Sequence, residues 1–148
     1  MMGDCIFADL CDAGDIEAVE AAIDNGADVN EENGFGETGL MCANHSNNNV
    51  VQLLLQHPQI DVNKADAVGN NALHLAALAD NHEGMKLLLD REDLTSGSIN
   101  SRNDMGRSPI LEVVLRNSVN CFHLLLTNPL VDLDTRDDYE RSAEQVQR

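Results

Sequence analysis

The chain has 148 residues, with 26 Asp and Glu against nine Lys and Arg, which gives a formal net charge of −17. This length fits one domain with a sizeable core, and one Tyr, three Phe and no Trp mean that aliphatic residues and Met must build that core. Because nucleic acids and anionic membranes carry the same sign of charge, we expect neither of them as a partner.

The sequence carries no sign of export or of membrane insertion. No apolar run approaches the ~20 residues that span a bilayer, and the first ten residues lack the basic start and long apolar run of a signal peptide. We therefore expect a cytoplasmic or nuclear protein. In that setting the four scattered cysteines are predicted to be reduced, small apolar residues: Cys5, Cys11, Cys42 and Cys121.

The negative charge is concentrated in the first 63 residues, which contain twelve Asp and Glu and no Lys or Arg. Such a field would steer a basic partner toward this half of the chain. The alternative is a solvated surface that only keeps the protein soluble. Composition does not decide between these two interpretations.

Three sequence markers recur along the chain with a common period of 33 to 37 residues. They are an Asn or Asp at positions 30, 63, 100 and 134, a Gly at positions 36, 69 and 106, and an apolar triplet at 53–55, 87–89 and 124–126. Three independent markers with one period indicate an internal repeat.

In chain order, each unit is predicted to hold a turn followed by two short helices. The acidic residues of the first unit would give the N-terminal end a polar cap. In the second unit, residues 42–49 are one residue short and rich in Asn, so its first helix should end early. Pro58 and, in the fourth unit, Pro129 should end the second helices.

The third unit shows the pattern most fully. Gly69 marks a backbone reversal, and helices are predicted over 73–79 and 83–91, the second with one apolar face. The following residues, 92–98, make this unit three to four residues longer, and we expect a polar surface loop there, the most mobile internal segment. Residues 137–148 begin a fifth unit with a polar outer face.

A single unit of this kind cannot bury its own apolar face. Each buried Leu or Met contributes roughly 1.5–3 kcal/mol, but only when a neighbouring unit covers it. The units are therefore expected to stack into a short solenoid.

The repeat resembles the ankyrin repeat, whose pattern is a turn Gly, then Thr-Pro-Leu-His-x-Ala-Ala, then a Leu-Leu helix, then Gly-Ala-Asp-Val-Asn. The nearest matches are Leu73-His74-Leu75-Ala76-Ala77 and Asn25-Gly26-Ala27-Asp28-Val29-Asn30. The Thr-Pro pair is never intact, and the pattern His is present only as His74. The resemblance implies that His74 ties the turn to the neighbouring unit by hydrogen bonds.

The resemblance also implies the architecture. We expect an all-α solenoid of helix-turn-helix units joined by β-hairpin-like turns, in one domain over residues 1–148. The units are placed at about 3–32, 33–65, 66–102 and 103–136, with a partial capping unit at 137–148. We expect a monomer.

No arrangement of residues predicts a metal, a cofactor or a catalytic centre. The nearest His/Cys pair is Cys121 and His123, and residues two apart on a helix point in different directions. Neither a calcium loop, a phosphate-binding Gly loop nor a nucleophile elbow is present. We therefore expect no enzyme activity and no cofactor. The alternative is a small metal-binding or catalytic protein that uses the His and Cys residues.

In ankyrin proteins the partner usually lies in a concave groove lined by turn tips and first helices. Carried onto this sequence, the turn-tip positions are Asn33, Phe35, Glu37, Ala67, Val68, Asn70, Met105, Arg107 and Tyr139, and the helix positions are His45, Ser46, Leu78, Ala79, Leu115 and Arg116. Apolar residues at four equivalent tips, Phe35, Val68, Met105 and Tyr139, are predicted to form an interface stripe. The alternative is that they are ordinary scattered surface residues.

The resemblance further implies that Asn30 and Asn63, and with a poorer match Asn100, are candidates for β-hydroxylation. Together these features predict a non-enzymatic protein–protein interaction module, a scaffold or an inhibitor by occlusion, with a partner that carries basic residues. A small complete protein and a part of a longer one both remain open.

Overall fold

The computed structural model describes residues 6–45 and 47–134, where short helices are joined by turns and one isolated antiparallel bridge pairs Ala65 with Asn71. The helices are α1 (Ile6–Ala13), α2 (Ile16–Asp24), α3 (Gly39–Ala43), α4 (Asn48–Leu55), α5 (Ala72–Leu78), α6 (His82–Leu89), α7 (Ser96–Ile99), α8 (Pro109–Leu115) and α9 (Val119–Leu126).

The helices stack in two layers. In the first layer α1, α3, α5 and α8 pack against one another in succession, and in the second layer α2, α4, α6 and α9 do the same. Within each unit the first-layer helix packs on its second-layer partner. This translational order confirms the all-α solenoid that the sequence predicted.

Equivalent leucine and isoleucine side chains fill the space between the units. Fully buried side chains occupy the same place in the first layer of three units and in the second layer of three units: Leu40, Leu73 and Ile110, then Leu54, Leu88 and Leu125. Among the buried residues of the described part, Phe7 is the one aromatic side chain. The prediction of an aliphatic core is confirmed.

Polar side chains fix where the helices begin. The side chains of Asp15, Asn71 and Asn81 each accept a hydrogen bond from the backbone N–H three residues ahead, at 3.1 Å in each case. Such caps satisfy N–H groups that have no partner within the helix. The helices are too short to be stable alone, so capping and packing together set their ends.

The second unit departs from the others as the sequence predicted. α3 is five residues long and ends at Ala43. Asn44 follows it, fully buried, and its Nδ2 donates to the Leu40 carbonyl at 3.1 Å while its Oδ1 has no hydrogen-bond partner. α4 and α9 end three residues before Pro58 and Pro129, but α6 ends at the equivalent residue, Leu89, with no Pro after it, so the structure does not assign these ends to Pro.

The prediction of a polar surface loop at 92–98 is right for the exposed residues 92, 93 and 95 and wrong for the rest of the segment, which contains a helical turn and buried side chains. Residues 96–99 form the helical turn α7, and Leu94, Ser98 and Ile99 are buried. The Thr95 hydroxyl caps this turn by accepting from the Ser98 N–H at 3.0 Å. Because Leu94 and Ile99 can leave water only if the backbone folds back on the stack, the longer segment becomes a helical turn.

The predicted bounds of the two main helices of the third unit agree with the structure to within two residues. α5 and α6 each begin one residue before the predicted starts at 73 and 83, and α6 ends at Leu89 rather than at residue 91. The unit boundaries stay a prediction. Cys5, Ser46, Tyr139 and the partial unit at 137–148 lie outside the described residues.

Side chains also link each unit to the next through backbone groups. The capping residues of α4, α6 and α9 each donate to a carbonyl at the end of the first-layer helix in the previous unit: Asn47 to Asp12 at 2.8 Å, Asn81 to Asn44 at 2.8 Å, and Ser118 to Ala77 at 2.9 Å. Asn81 in addition caps its own helix, so this one side chain both starts α6 and holds the preceding unit.

A second set of links lies at the ends of the units. The side-chain amide of Asn30 donates to the Gln59 carbonyl at 2.7 Å and accepts from the Asp61 N–H at 2.8 Å. Asn63 and Asn100 repeat both bonds one and two units further on, with distances between 2.7 and 3.0 Å. Each Asn thus joins the ends of two neighbouring units.

His74 links the third and fourth units from a fully buried position. Its Nδ1 accepts from the Asn71 N–H at 3.1 Å, and its Nε2 lies 2.8 Å from the Arg107 carbonyl. The second contact requires a proton on Nε2, which leaves Nδ1 as the acceptor in the neutral ring. Burial lowers the pKa of His74 below its usual value. The predicted structural role of this His is confirmed.

Gly39 permits the close approach of α1 and α3. A Cβ on Gly39 would lie 2.6 Å from the Cys11 sulfur and 3.0 Å from Cε2 of Phe7. We expect Gly39→Ala to lower the free energy of unfolding by about 1–3 kcal/mol through overpacking, measured by urea titration. Gly97→Ala is the matched control, because its Cβ would lie 3.7 Å from the nearest atom. Equal stability of the two variants would contradict this packing.

The pKa of His74 predicts a pH dependence of stability. Because the folded-state pKa lies below the ordinary 6.5, the unfolded chain binds a proton first, and stability falls as the pH drops below that value. His74→Met should lower the free energy of unfolding by about 1–3 kcal/mol at neutral pH and flatten its change between about pH 7.5 and about pH 5.5. The exposed His82→Gln should keep the wild-type slope. An unchanged slope in His74→Met would refute this assignment.

Candidate functional site

Three apolar side chains project from equivalent turns at one edge of the stack. Phe35, Val68 and Met105 are 75%, 51% and 48% exposed, and each directly precedes the Gly of its turn. We call these three side chains the tip ridge. Their predicted exposure is confirmed, while the fourth predicted member, Tyr139, lies outside the described residues.

Backbone hydrogen bonds between neighbouring turns align the ridge. The Ala67 N–H donates to the Phe35 carbonyl and the Asp104 N–H donates to the Val68 carbonyl, both at 2.9 Å. The turn Gly at position 36 has φ +76°, and a Cβ there would lie 2.8 Å from the Ala67 nitrogen. The close contact between successive turns therefore depends on a residue without a side chain.

In each turn, one side chain holds the backbone by accepting two hydrogen bonds. The Oδ1 atoms of Asn33, Asp66 and Asn103 each accept from two backbone N–H groups, two and four residues ahead, at 2.9 to 3.1 Å. These two bonds set the backbone of the residue that carries the ridge side chain. The ridge is thus held on ordered turns rather than on loose loops.

A second row of predicted site residues lies where the first-layer helices end. His45 and Arg116 are exposed, and Leu78, Ala79 and Leu115 are half-buried. They occupy equivalent places because the first-layer helices stack in order. The structure therefore brings these predicted residues into one row, with Ser46 outside the described part.

Four of the predicted tip residues have internal bonds. Asn33 closes its turn, and its Nδ2 donates to Glu37 Oε1 at 3.1 Å. Asn70 Oδ1 accepts from Asn103 Nδ2 at 2.9 Å, and Arg107 pairs with a carboxylate described next. Their direct contact with a partner stays a prediction. Ala67 is exposed at its tip.

Glu112 is a buried carboxylate that sequence reasoning missed. It is 3% exposed on α8, where its Oε2 accepts from Asn103 Nδ2 at 3.1 Å and its Oε1 lies 3.5 Å from Nη1 of Arg107. The signal was available, because Glu112 takes the slot that Leu75 and Cys42 fill in the preceding units. A charge in an apolar slot predicts a partner on the neighbouring turn.

The candidate hydroxylation sites are part of the inter-unit links. Asn30 and Asn63 are half-buried, and both ends of each side-chain amide are bound to the backbone of the next unit. Hydroxylation of either residue stays a prediction.

The described cysteines are core residues. Cys11, Cys42 and Cys121 are buried. Burial, together with the nearby Asp80, raises the pKa of the Cys121 thiol to about 12. Over residues 6–45 and 47–134, no group of three or more His, Cys, Asp or Glu side chains is arranged to hold a metal ion.

A further apolar area lies beside α8 and α9, the last two helices that the structure describes. Val113, Val114, Val119 and Phe122 line an open concavity of about 670 Å³ there. The counterparts of Phe122 in the first three units, Val19, Val51 and Met85, are fully buried beneath the unit that follows. In the part of the chain that the structure describes, no helix is long and apolar enough to cross a membrane.

Comparison with known proteins agrees with this architecture. A family model described as ankyrin repeats in three copies matches residues 7–100. The chain is similar to neurogenic locus notch homolog protein 1 of Mus musculus, with 36% identity over 74 residues, which are 50% of this chain and 3% of that protein. It is also similar to notch homolog protein 2 of Homo sapiens, with 32% identity over 91 residues, 62% of this chain and 4% of that protein.

The chain thus spans only 3–4% of the length of these relatives. Ankyrin repeats are, as a family, non-enzymatic modules of protein–protein interaction. The matched model, the two-layer stack and the turn geometry lead to one conclusion: the chain belongs to the ankyrin-repeat family.

Proposed function

We propose that this chain is a non-enzymatic interaction module that holds a partner protein against the tip ridge and the adjoining helix ends. In that position it acts as a scaffold, or as an inhibitor that covers a functional surface of its partner. The described helix-end residues of this surface are His45, Leu78, Ala79, Leu115 and Arg116, and Ser46 is predicted from the sequence to belong with them.

The observation that carries this proposal is the tip ridge itself. Three large apolar side chains stand about half exposed or more at equivalent positions, where exposure to water stabilises nothing. Aromatic residues and Met are enriched at the centres of protein interfaces. Because hydrogen bonds already order the turns, little conformational entropy is lost on binding.

The charge of the first unit supports a partner with basic residues. Between residues 6 and 32 all nine Asp and Glu side chains are exposed and the range contains no Lys or Arg, although Glu32 pairs with Lys64 of the second unit. Such a surface attracts cationic proteins and repels nucleic acids. We propose that the protein works as a monomer in the cytoplasm or the nucleus.

The alternative function, a metal-binding or catalytic protein that uses the His and Cys residues, receives less support from the chemistry of these groups. A thiol with a pKa of about 12, as at Cys121, is almost wholly protonated at neutral pH. The thiolate is the form that binds metals and attacks electrophiles. His74 is likewise held neutral in a structural bond.

Truncating the ridge tests this function. We expect the triple variant Phe35→Ala, Val68→Ala, Met105→Ala to bind its partners about tenfold more weakly or worse, because interface anchors carry most of the binding free energy. Immobilised wild-type and variant proteins would be compared by the proteins that each captures from the source cell. The control, Val119→Ala with Leu126→Ala, removes two equally exposed apolar side chains away from the ridge. Equal capture by the two variants would show that the tip ridge is not the binding site.

Salt tests the part that charge plays. Raising the ionic strength from about 0.1 M to about 0.5 M shortens the Debye length from about 10 Å to about 4 Å. If the acidic first unit attracts the partner, captured protein should fall severalfold over this range, measured by quantitative mass spectrometry. Unchanged capture would assign the binding to the tip ridge alone and remove the basic partner from the proposal.

A further inference from the structure

The surface that contains the tip ridge is acidic at the first and second units, and at the fourth unit it presents an exposed cation, Arg116. We propose that the tip ridge binds an extended polypeptide segment in one direction, with basic residues over the first and second units and a carboxylate beside Arg116. This inference rests on the proposed function, and it adds the charge pattern of the partner and its orientation.

The residue that follows the turn Gly shows the change most simply. It is Glu37 in the second unit, Asn70 in the third and Arg107 in the fourth, so one structural position passes from negative through neutral to positive. Arg107 is partly neutralised by the buried Glu112. The tip of the fourth unit therefore contributes less positive charge than its sequence suggests.

The ends of the first-layer helices add an exposed charge of each sign, at neighbouring rather than equivalent positions. Asp12 and Leu78 each lie three residues before the cap of the following helix, where the fourth unit has Leu115, and Arg116 lies one residue further on, where the third unit has Ala79. Asp12 is exposed at the negative end together with Asp9. Arg116 is exposed at the other end.

Internal pairing decides which cations remain available. Lys64 pairs with Glu32, Lys86 with Asp90, and Arg91 with Asp93, at 2.7 to 3.0 Å. Within the described ranges no acidic side chain pairs with Arg116. The exposed Asp104 lies beside Met105, so the positive end of the surface depends on Arg116 rather than on the tip.

The spacing of the ridge favours an extended occupant. Packed helices lie 8–10 Å apart, so successive ridge side chains are about 10 Å apart. An extended polyproline II segment has three residues per turn and rises about 3.1 Å per residue, so every third side chain lies on the same face, about 9 Å apart, and can meet the next tip. The expected segment has three apolar residues at this spacing, Lys or Arg before them on the side of the first unit, and Asp or Glu on the side of Arg116.

Two synthetic peptides test this orientation. Both have Lys residues at one end and Leu, Phe or Met at every third position, and they differ only at the far end, which is Glu in one and Lys in the other. We expect wild-type protein to bind the Glu-ended peptide about 2- to 5-fold more tightly for each charge that differs, measured by NMR titration. Arg116→Glu should reverse this preference. Lys86→Glu, which makes the same change of charge on α6 away from the ridge, should leave it unchanged.

A nitroxide label reports the direction directly. A label at the Glu end should broaden the amide signals of Leu115 and Arg116, and a label at the Lys end should broaden those of Asp12 and Glu37. Broadening at both places from either label would overturn the single orientation.

Phe35→Ala separates the two proposals. If Phe35→Ala weakens the binding of both peptides but Arg116→Glu does not change the preference for the Glu-ended peptide, the proposed orientation is wrong and the tip ridge remains the binding site. If neither peptide binds, or if binding is indifferent to Phe35, the ridge does not accept such a segment and both proposals fail.

Discussion

Each helix pair in this protein leaves one apolar face that only the next pair can cover, and the whole structure follows from that dependence. The buried leucines of α4, α6 and α9 occupy one place in successive units. Burial itself does not fix how far one unit slides or turns over the next, because apolar contact is non-directional. The register comes from hydrogen bonds between units, made by Asn47 and Asn30 and by their counterparts further along.

Apolar burial holds the units together and hydrogen bonds set their register, and this separation determines which side chains remain on the surface. Because the inter-unit bonds use backbone groups and polar side chains at the margins of the units, the turn tips are ordered before any partner arrives. The exposed side chains of Phe35 and Val68 then do not stabilise the turns, since Asn33 and Asp66 close the turns by hydrogen bonds. A side chain that contributes nothing to folding and stands on an ordered turn is suited to contact another molecule.

Much of the fold could be predicted because the same residue types recur at equivalent positions in several units, so that each unit supports the interpretation of the others. The turn glycines, the short α3 and the exposed ridge follow from aligned positions and simple sterics. α7 could not be predicted from the polar composition of residues 92–98, because the burial of Leu94 depends on a surface that only the assembled stack provides. Propensity describes a segment alone, and tertiary contact outweighs it here.

The candidate site was harder to predict than the fold. The positions of Phe35, Val68 and Met105 followed from the period, but the state of Arg107 did not. Its pairing with Glu112 crosses from a turn to a helix, and the sequence shows only an acidic residue in an apolar slot. Thus the sequence locates the exposed surface, while the charge that remains available to a partner requires the contacts.

The amide links at Asn30, Asn63 and Asn100 give the stack a chemical weak point. Each needs a nitrogen donor facing a carbonyl and an oxygen acceptor facing an N–H, on the same side chain. Deamidation would replace the donor by a carboxylate oxygen and set two oxygens against each other where a bond had been. Deamidation of one Asn would therefore weaken the contact between two units. Slow deamidation would then change the curvature of the surface that we propose as the binding site.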